Sequence, residues 1–241
     1  MTRTLITGAT KGIGRALAHA LAADGHTITA VARTEQALKS LMEELDGPHD
    51  YLTADLATPS GLRDITAALK ARPYDLLVNN AGLGHSGSFA SSDLDQVQAA
   101  IRLNCEAVVT LAHAFLAAAR PGAALVNVSS TLAFTPKPDQ AVYSATKAFV
   151  TSFSEALWYE QKAHGVYVLG LCPGPTTTRP GLHADTPSAL VQSPEAVAAT
   201  ALTALRERRH PTVASGRANT LFTTVARLIP RRTGLRLLAE G

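Results

Sequence analysis

The chain has 241 residues, 46% hydrophobic and 17% charged, which suffices for one sizeable core and makes a single α/β domain an ordinary outcome. Its net charge of +3 is unevenly placed: residues 206–241 hold eight arginines against two glutamates, a balance of +6 that leaves −3 for the remainder. The basic character belongs to the tail, which argues against a nucleic-acid-binding body.

In chain order, β-rich runs alternate with helical patterns. The spacing predicts strands at 4–7, 27–32, 50–53, 76–79, 124–129, 167–172 and 212–214. Helices are expected near 13–24, 35–45, 60–71, 93–103, 105–119, 141–163 and 194–208. Such alternation implies right-handed crossovers and a mostly parallel, doubly covered sheet in one domain spanning 1–241. Residues 173–193, with four prolines and two glycines, are the longest irregular stretch. A loop of that length in a compact domain is usually functional or mobile. Cys105 and Cys172 sit in apolar runs, as in a reduced cytoplasmic protein, and the first residues lack the apolar core of a secretory signal. The longest apolar helix candidate, about Ala107 to Ala119, is interrupted by Thr110 and His113 and is too short to span a bilayer.

The first strand leads into Thr7-Gly8-Ala9-Thr10-Lys11-Gly12-Ile13-Gly14 and then a helix. Glycines there let the backbone turn sharply and let a pyrophosphate approach the helix amino end, where the dipole favours an anion. The second strand ends Ala32-Arg33, where an NAD site usually has an acidic residue. Arg33 and Lys11 suit a 2′-phosphate, hence NADP(H), although Arg33 also reads as a solvated strand-end charge. Asp55 either accepts a hydrogen bond from adenine or caps the turn before Pro59.

Tyr143 and Lys147 are one helical turn apart and share a face. An ammonium beside a phenol in a cleft lowers the tyrosine pKa and equips it for proton transfer to or from a carbonyl oxygen. Ser130, thirteen residues before Tyr143, and Asn104 complete a catalytic candidate set, with Ser129 as the other hydroxyl to weigh. The eight histidines show no metal-ligand spacing, so no metal is expected, and no nucleophile-elbow glycines flank Ser130.

With these residues in place the chain resembles the short-chain dehydrogenase/reductase family over about residues 2–214. The carriers are Thr7-Gly8-x3-Gly12-x-Gly14, Asp55-Leu56, Asn79-Asn80-Ala81-Gly82, Asn104, Ser130, Tyr143-x3-Lys147 and Pro173-Gly174. The resemblance implies a Rossmann fold with seven strands in order 3-2-1-4-5-6-7. It implies that Gly8, Thr10, Lys11, Gly12, Ile13, Gly14, Arg33, Asp55, Leu56, Asn80, Ala81, Gly82, Tyr143, Lys147, Pro173, Gly174, Thr176 and Thr178 line an NADP(H) site. Asn79, Ala81 and Gly82 would shape the central wall and stabilise the sheet. Ser130 would bind the substrate oxygen, Tyr143 would be the acid/base, Lys147 would bind the nicotinamide ribose, and Asn104 would hold a water against Lys147. Thr176 would anchor the carboxamide through its amide and Thr178 through its hydroxyl.

Residues 176–193, with Leu182, His183, Leu190 and Val191, would close on substrate. Gly84, His85, Ser86, Gly87, Phe89 and the segment 132–138 would complete a pocket for a moderately apolar ketone or alcohol. The helices at 105–119 and 141–163 are more apolar than one packed face requires, which with the resemblance implies a homodimer or homotetramer. Residues 216–241 form an arginine-flanked amphipathic extension that lies on an anionic membrane surface, packs beside the pocket or meets another subunit. An NADP(H)-dependent carbonyl reductase or alcohol dehydrogenase is the leading expectation. A dinucleotide-binding regulatory or scaffold protein without turnover is the alternative; a dehydratase or epimerase would need a longer carboxyl-terminal domain.

Overall fold

The structure, a computed structural model, describes residues 2–84, 86–178 and 186–239, with 237–239 as backbone alone. Its elements run β1 (Thr2–Thr7), α1 (Gly12–Ala23), β2 (His26–Ala32), α2 (Glu35–Glu44), β3 (Asp50–Thr53), α3 (Pro59–Ala71) and β4 (Leu76–Asn79). They continue with α4 (Leu94–Ile101), α5 (Ala107–Leu116), β5 (Ala124–Val128), α6 (Ala141–Gln161), β6 (Tyr167–Cys172), α7 (Pro194–Glu207), β7 (Thr212–Ala214), α8 (Arg217–Leu228) and α9 (Arg231–Ala239). The seven strands form one parallel sheet in the order β3-β2-β1-β4-β5-β6-β7, a doubly wound Rossmann arrangement.

The strands are apolar on both faces because both faces are covered. Alternation sends Leu5, Leu77, Leu125 and Val168 into one layer with Leu62 and Ile65 of α3 and Leu111 and Phe115 of α5. Their neighbours Ile6, Leu76, Val78, Val126 and Leu169 enter the other layer, with Leu17 and Leu21 of α1, Leu38 and Leu41 of α2, and Val197 and Ala201 of α7. Helix starts follow local chemistry. Thr58 Oγ1 accepts from Gly61 N at 3.2 Å ahead of α3, and Ser193 Oγ accepts from Ala196 N at 3.2 Å ahead of α7, each with proline as the first helical residue.

The expected elements are present, with ends that differ by a few residues, and one break is different in kind. The helices expected at 93–103 and 105–119 are a continuous run, α4 and α5 joined by a π-turn over Arg102–Glu106. The 23-residue run Leu94–Leu116 is long and apolar enough to cross a membrane by composition. Its Val97, Ala100, Leu111 and Phe115 are nevertheless buried in the protein, as in a core helix. The sheet order reverses between β1, which leads to β2 and β3, and β4, which leads to β5, β6 and β7. The crevice that such a reversal creates in open α/β sheets, beyond the carboxyl ends of the strands, is where they bind ligands.

Candidate active site

Between β1 and α1 the backbone adopts positive φ at Gly8 (+65°) and Gly12 (+51°), which a side chain would strain. Gly14 serves a close approach instead: a Cβ there would lie 2.3 Å from Gly8 O. No side chain caps the start of α1, at Lys11. The loop is braced from β4. Thr7 Oγ1 accepts from Asn80 N at 2.9 Å and Ala81 N at 3.0 Å, and Asn80 Nδ2 donates to Thr7 O at 2.9 Å and Gly8 O at 3.1 Å. The Asn80 side chain therefore shapes the phosphate loop through its Nδ2. Thr10 and Ile13 are half-buried, and Lys11 and Arg33 are exposed and unpaired with any carboxylate among the described residues.

Asp55 Oδ1 accepts from Ala57 N at 2.9 Å, so its carboxylate closes the turn before α3, while Leu56 is buried in the core. Thr178 packs onto the phosphate loop: a Cβ on Gly12 would approach its Cγ2 to 2.7 Å. Thr176 Oγ1 donates to Gly174 O at 2.9 Å, and the segment returns on itself through Gln192 N to Pro175 O and Thr177 N to Gln192 O, both 2.9 Å. Pro173 O accepts from Thr131 N at 2.9 Å, joining the ends of β5 and β6.

The catalytic candidates meet across the crevice. α6 places Tyr143 and Lys147 on one face, and Lys147 Nζ lies 5.6 Å from the Tyr143 ring centroid. The ammonium donates to Val128 O at 2.8 Å and is 5% exposed. Ser130, just past β5, stands near enough to the Tyr143 hydroxyl to pull its pKa down, and its Oγ accepts from Leu132 N at 3.2 Å. Ser129 faces the opposite way: its Oγ donates to Lys147 O at 2.7 Å and meets Thr151 Oγ1 at 2.7 Å. Ser129 is thus committed to α6, and Ser130 is the hydroxyl on the Tyr143 side. Asn104 arrives from the π-turn. Its Oδ1 accepts from Leu83 N at 2.8 Å, and its Nδ2 donates to Leu83 O at 2.9 Å and Thr146 Oγ1 at 3.0 Å. A Cβ on Gly82 would sit 3.3 Å from Asn104 Oδ1 and 3.5 Å from Lys147 Nζ, so these three groups converge. Asn79 stays beneath, donating to Asn127 Oδ1 at 3.0 Å within the sheet.

The electrostatics correct one expectation. Burial raises the Tyr143 phenol above its ordinary pKa, the Ser130 hydrogen bond pulls it back, and the buried Cys172 adds to the rise. Lys147 does not dominate, because burial brings its own pKa down to about 8. Both thiols are raised by burial, Cys172 to about 11.

The glycine cradle, the uncapped helix start, the two unpaired cations and the amine at Lys147 fit a dinucleotide phosphate chain and ribose. A family model described as short chain dehydrogenase matches residues 2–185. The chain belongs to that family.

Among its curated short-chain dehydrogenase relatives, one from Pseudocercospora fijiensis is 32% identical over 199 residues, 79% of this chain and 64% of the relative. A human protein named inactive hydroxysteroid dehydrogenase-like protein 1 is 31% identical over 213 residues, 83% of this chain and 64% of its own length. The chain thus spans less than two thirds of both. A structure described for 7beta-hydroxysteroid dehydrogenase stereoselectivity superposes with TM-score 0.90 at 25% identity, covering 98% of this chain and 96% of that one. A short-chain dehydrogenase from Sphingobium yanoikuyae in complex with NADPH gives TM-score 0.79 at 30% identity, covering 89% and 87%.

The short-chain dehydrogenase site has members that sequence reasoning missed. Asn219 of α8 is 1% exposed; it donates to Leu190 O at 3.0 Å and abuts Gly174, where a Cβ would fall 2.3 Å from its Oδ1. Arg227 stacks 4.4 Å over the Phe134 ring and pairs with Glu155 at 3.4 Å. Gly87 N donates to Asp139 O at 2.8 Å, tying the two expected pocket walls together. An asparagine in an apolar tail and an arginine in a basic one carry no pattern that announces these contacts. His85, Leu182 and His183 lie outside the described residues.

Proposed function

We propose that this chain is an NADP(H)-dependent oxidoreductase interconverting a moderately apolar ketone and its secondary alcohol. The convergence of Tyr143, Ser130 and Lys147 at the carboxyl end of β5 carries the reading. The bound nicotinamide supplies the hydride equivalent to the carbonyl carbon. Ser130 holds the substrate oxygen. Tyr143 gives its phenolic proton to that oxygen, or takes one in the alcohol direction, and the Lys147 ammonium stands ready to stabilise the phenolate that results. A pKa near 8 lets Lys147 exchange its own proton close to neutral pH, which suits a relay. Lys11 and Arg33 are the cations for a 2′-phosphate, and the NADPH complex of the Sphingobium protein supports that choice.

Tyr143→Phe tests the chemistry: on a panel of ketones, quinones and 3-oxoacyl esters the turnover number should fall on the order of 10²–10⁴-fold with NADPH affinity unchanged. Retained turnover would remove Tyr143 as the acid/base, whereas no turnover by the native chain on any member would favour a dinucleotide binder without turnover; one relative is named inactive. Arg33→Asp should weaken NADPH far more than NADH; equal effects would remove the 2′-phosphate assignment. α5 and α6 leave Val109, Phe149 and Tyr159 exposed, and Val109 also lines a 440 Å³ cavity with His113, Phe153 and Leu157; these apolar faces support a homodimer or homotetramer.

A further inference from the structure

α8 is built inside out relative to a helix that packs on a core. Its most buried side chains are polar, Asn219 at 1% and Thr223 at 6% exposure beside the half-buried Ala218, Phe222 and Ala226, while Leu221, Val225 and Leu228 are 65%, 45% and 80% exposed. Those three recur at i, i+4 and i+7, so they form one stripe. α9 continues the surface after Pro230: Gly234 seats against Thr135 and Ile229, and Leu235 is 40% exposed. Around these aliphatic groups stand the exposed Arg217, Arg231, Arg232 and Arg236, none of which makes an ion pair among the described residues. No carboxylate lies between Glu207 and Glu240 in the sequence.

We infer that this surface docks on the interface of an anionic lipid bilayer. Aliphatic side chains flanked by guanidinium groups match acyl chains beneath acidic headgroups. A second copy of the chain would set four unpaired arginines against four more, a like-charge contact that symmetric docking cannot avoid. A nucleic acid would satisfy the arginines and leave the aliphatic stripe in water. The surface stands beside the crevice, since α8 seats Asn219 on Gly174 and α9 seats Gly234 on Thr135.

The test is co-sedimentation of the full chain with phosphatidylcholine vesicles, with and without phosphatidylglycerol. The protein should pellet with the anionic vesicles, stay largely in solution with the neutral ones, and be released by added salt. Arg231→Ser with Arg232→Ser should lower vesicle affinity roughly 30-fold, at about a factor of five per basic residue. Leu221→Glu with Leu228→Glu should abolish pelleting; both positions are exposed, so the melting temperature and ketone reduction in solution should not change. Failure to pellet with anionic vesicles overturns the inference, as does pelleting that neither variant pair weakens. Sedimentation velocity supplies the other arm: if the leucine variant turns an oligomer into a smaller species, the surface is a subunit contact. None of these outcomes depends on catalysis, so the enzymatic reading stands or falls separately.

Discussion

Replacing Asn104 with alanine separates a structural role from a chemical one. The side chain is 1% exposed and makes three hydrogen bonds, to Leu83 N, Leu83 O and Thr146 Oγ1. Each such bond contributes a net of about 1 kcal/mol, and a buried partner left without one costs about 1–3 kcal/mol. Leu83 is half-buried and its backbone recovers part of the loss from water; Thr146 still donates to Tyr143 O at 2.8 Å. The net cost is then about 2–3 kcal/mol. For a domain of this size, roughly 2–4 °C per kcal/mol gives a melting temperature lower by about 4–12 °C. Turnover should fall as well, because the same bonds hold the Leu83 segment beside Lys147. Thermal melting followed by circular dichroism, paired with turnover on the same preparation, reads both. A variant that melts with the native protein yet loses turnover would refute the clasp and return Asn104 to a purely chemical role.

Two further outcomes follow from the same site. Lys147 has a folded-state pKa of about 8 against an ordinary 10.5, so between those values the unfolded chain holds the extra proton and stability rises with pH. Cys172 and Tyr143, raised by burial, oppose this above about pH 9, because there the folded state keeps their protons. From pH 7 to 9 the native chain should therefore gain about 1.4 kcal/mol relative to Lys147→Met in urea denaturation, and a pH-independent difference between them would contradict the burial argument. Ser129→Ala and Ser130→Ala should dissociate: the first removes bonds to Lys147 O and Thr151 and lowers the melting temperature with turnover largely kept, the second does the reverse. Matching losses in both properties for both variants would show that the two hydroxyls share one role.

Strand positions were legible because a sheet covered on both faces writes itself as short apolar runs, and Leu5, Leu77 and Leu125 needed only alternation to assign their layer. Gly8 and Gly12 were legible because positive φ restricts residue choice. Tyr143 and Lys147 followed from spacing along one helix, and Ser130 from its distance upstream and from the resemblance. What stayed hidden depends on partners distant in the chain. Asn80 braces the phosphate loop from β4, through bonds to Thr7 O and Gly8 O some 72 residues away. The tyrosine's shift was read from its neighbouring cation alone, whereas burial depends on the whole fold and acts on both groups. Asn219 has no periodic signature, since its partners Leu190 and Gly174 reach it only after the sheet has closed.

The π-turn at Arg102–Glu106 has a wider consequence. A turn with one surplus residue offsets the phase of everything downstream, and removing that residue would rotate α5 by about 100° about its axis. Leu111 and Phe115 would then leave the interior in the same stroke that withdraws Asn104 from Leu83. Catalytic geometry and sheet cover are thus interlocked through a single local irregularity. Drift at this point would be exposed first as poor folding, before a well-folded but idle protein could accumulate.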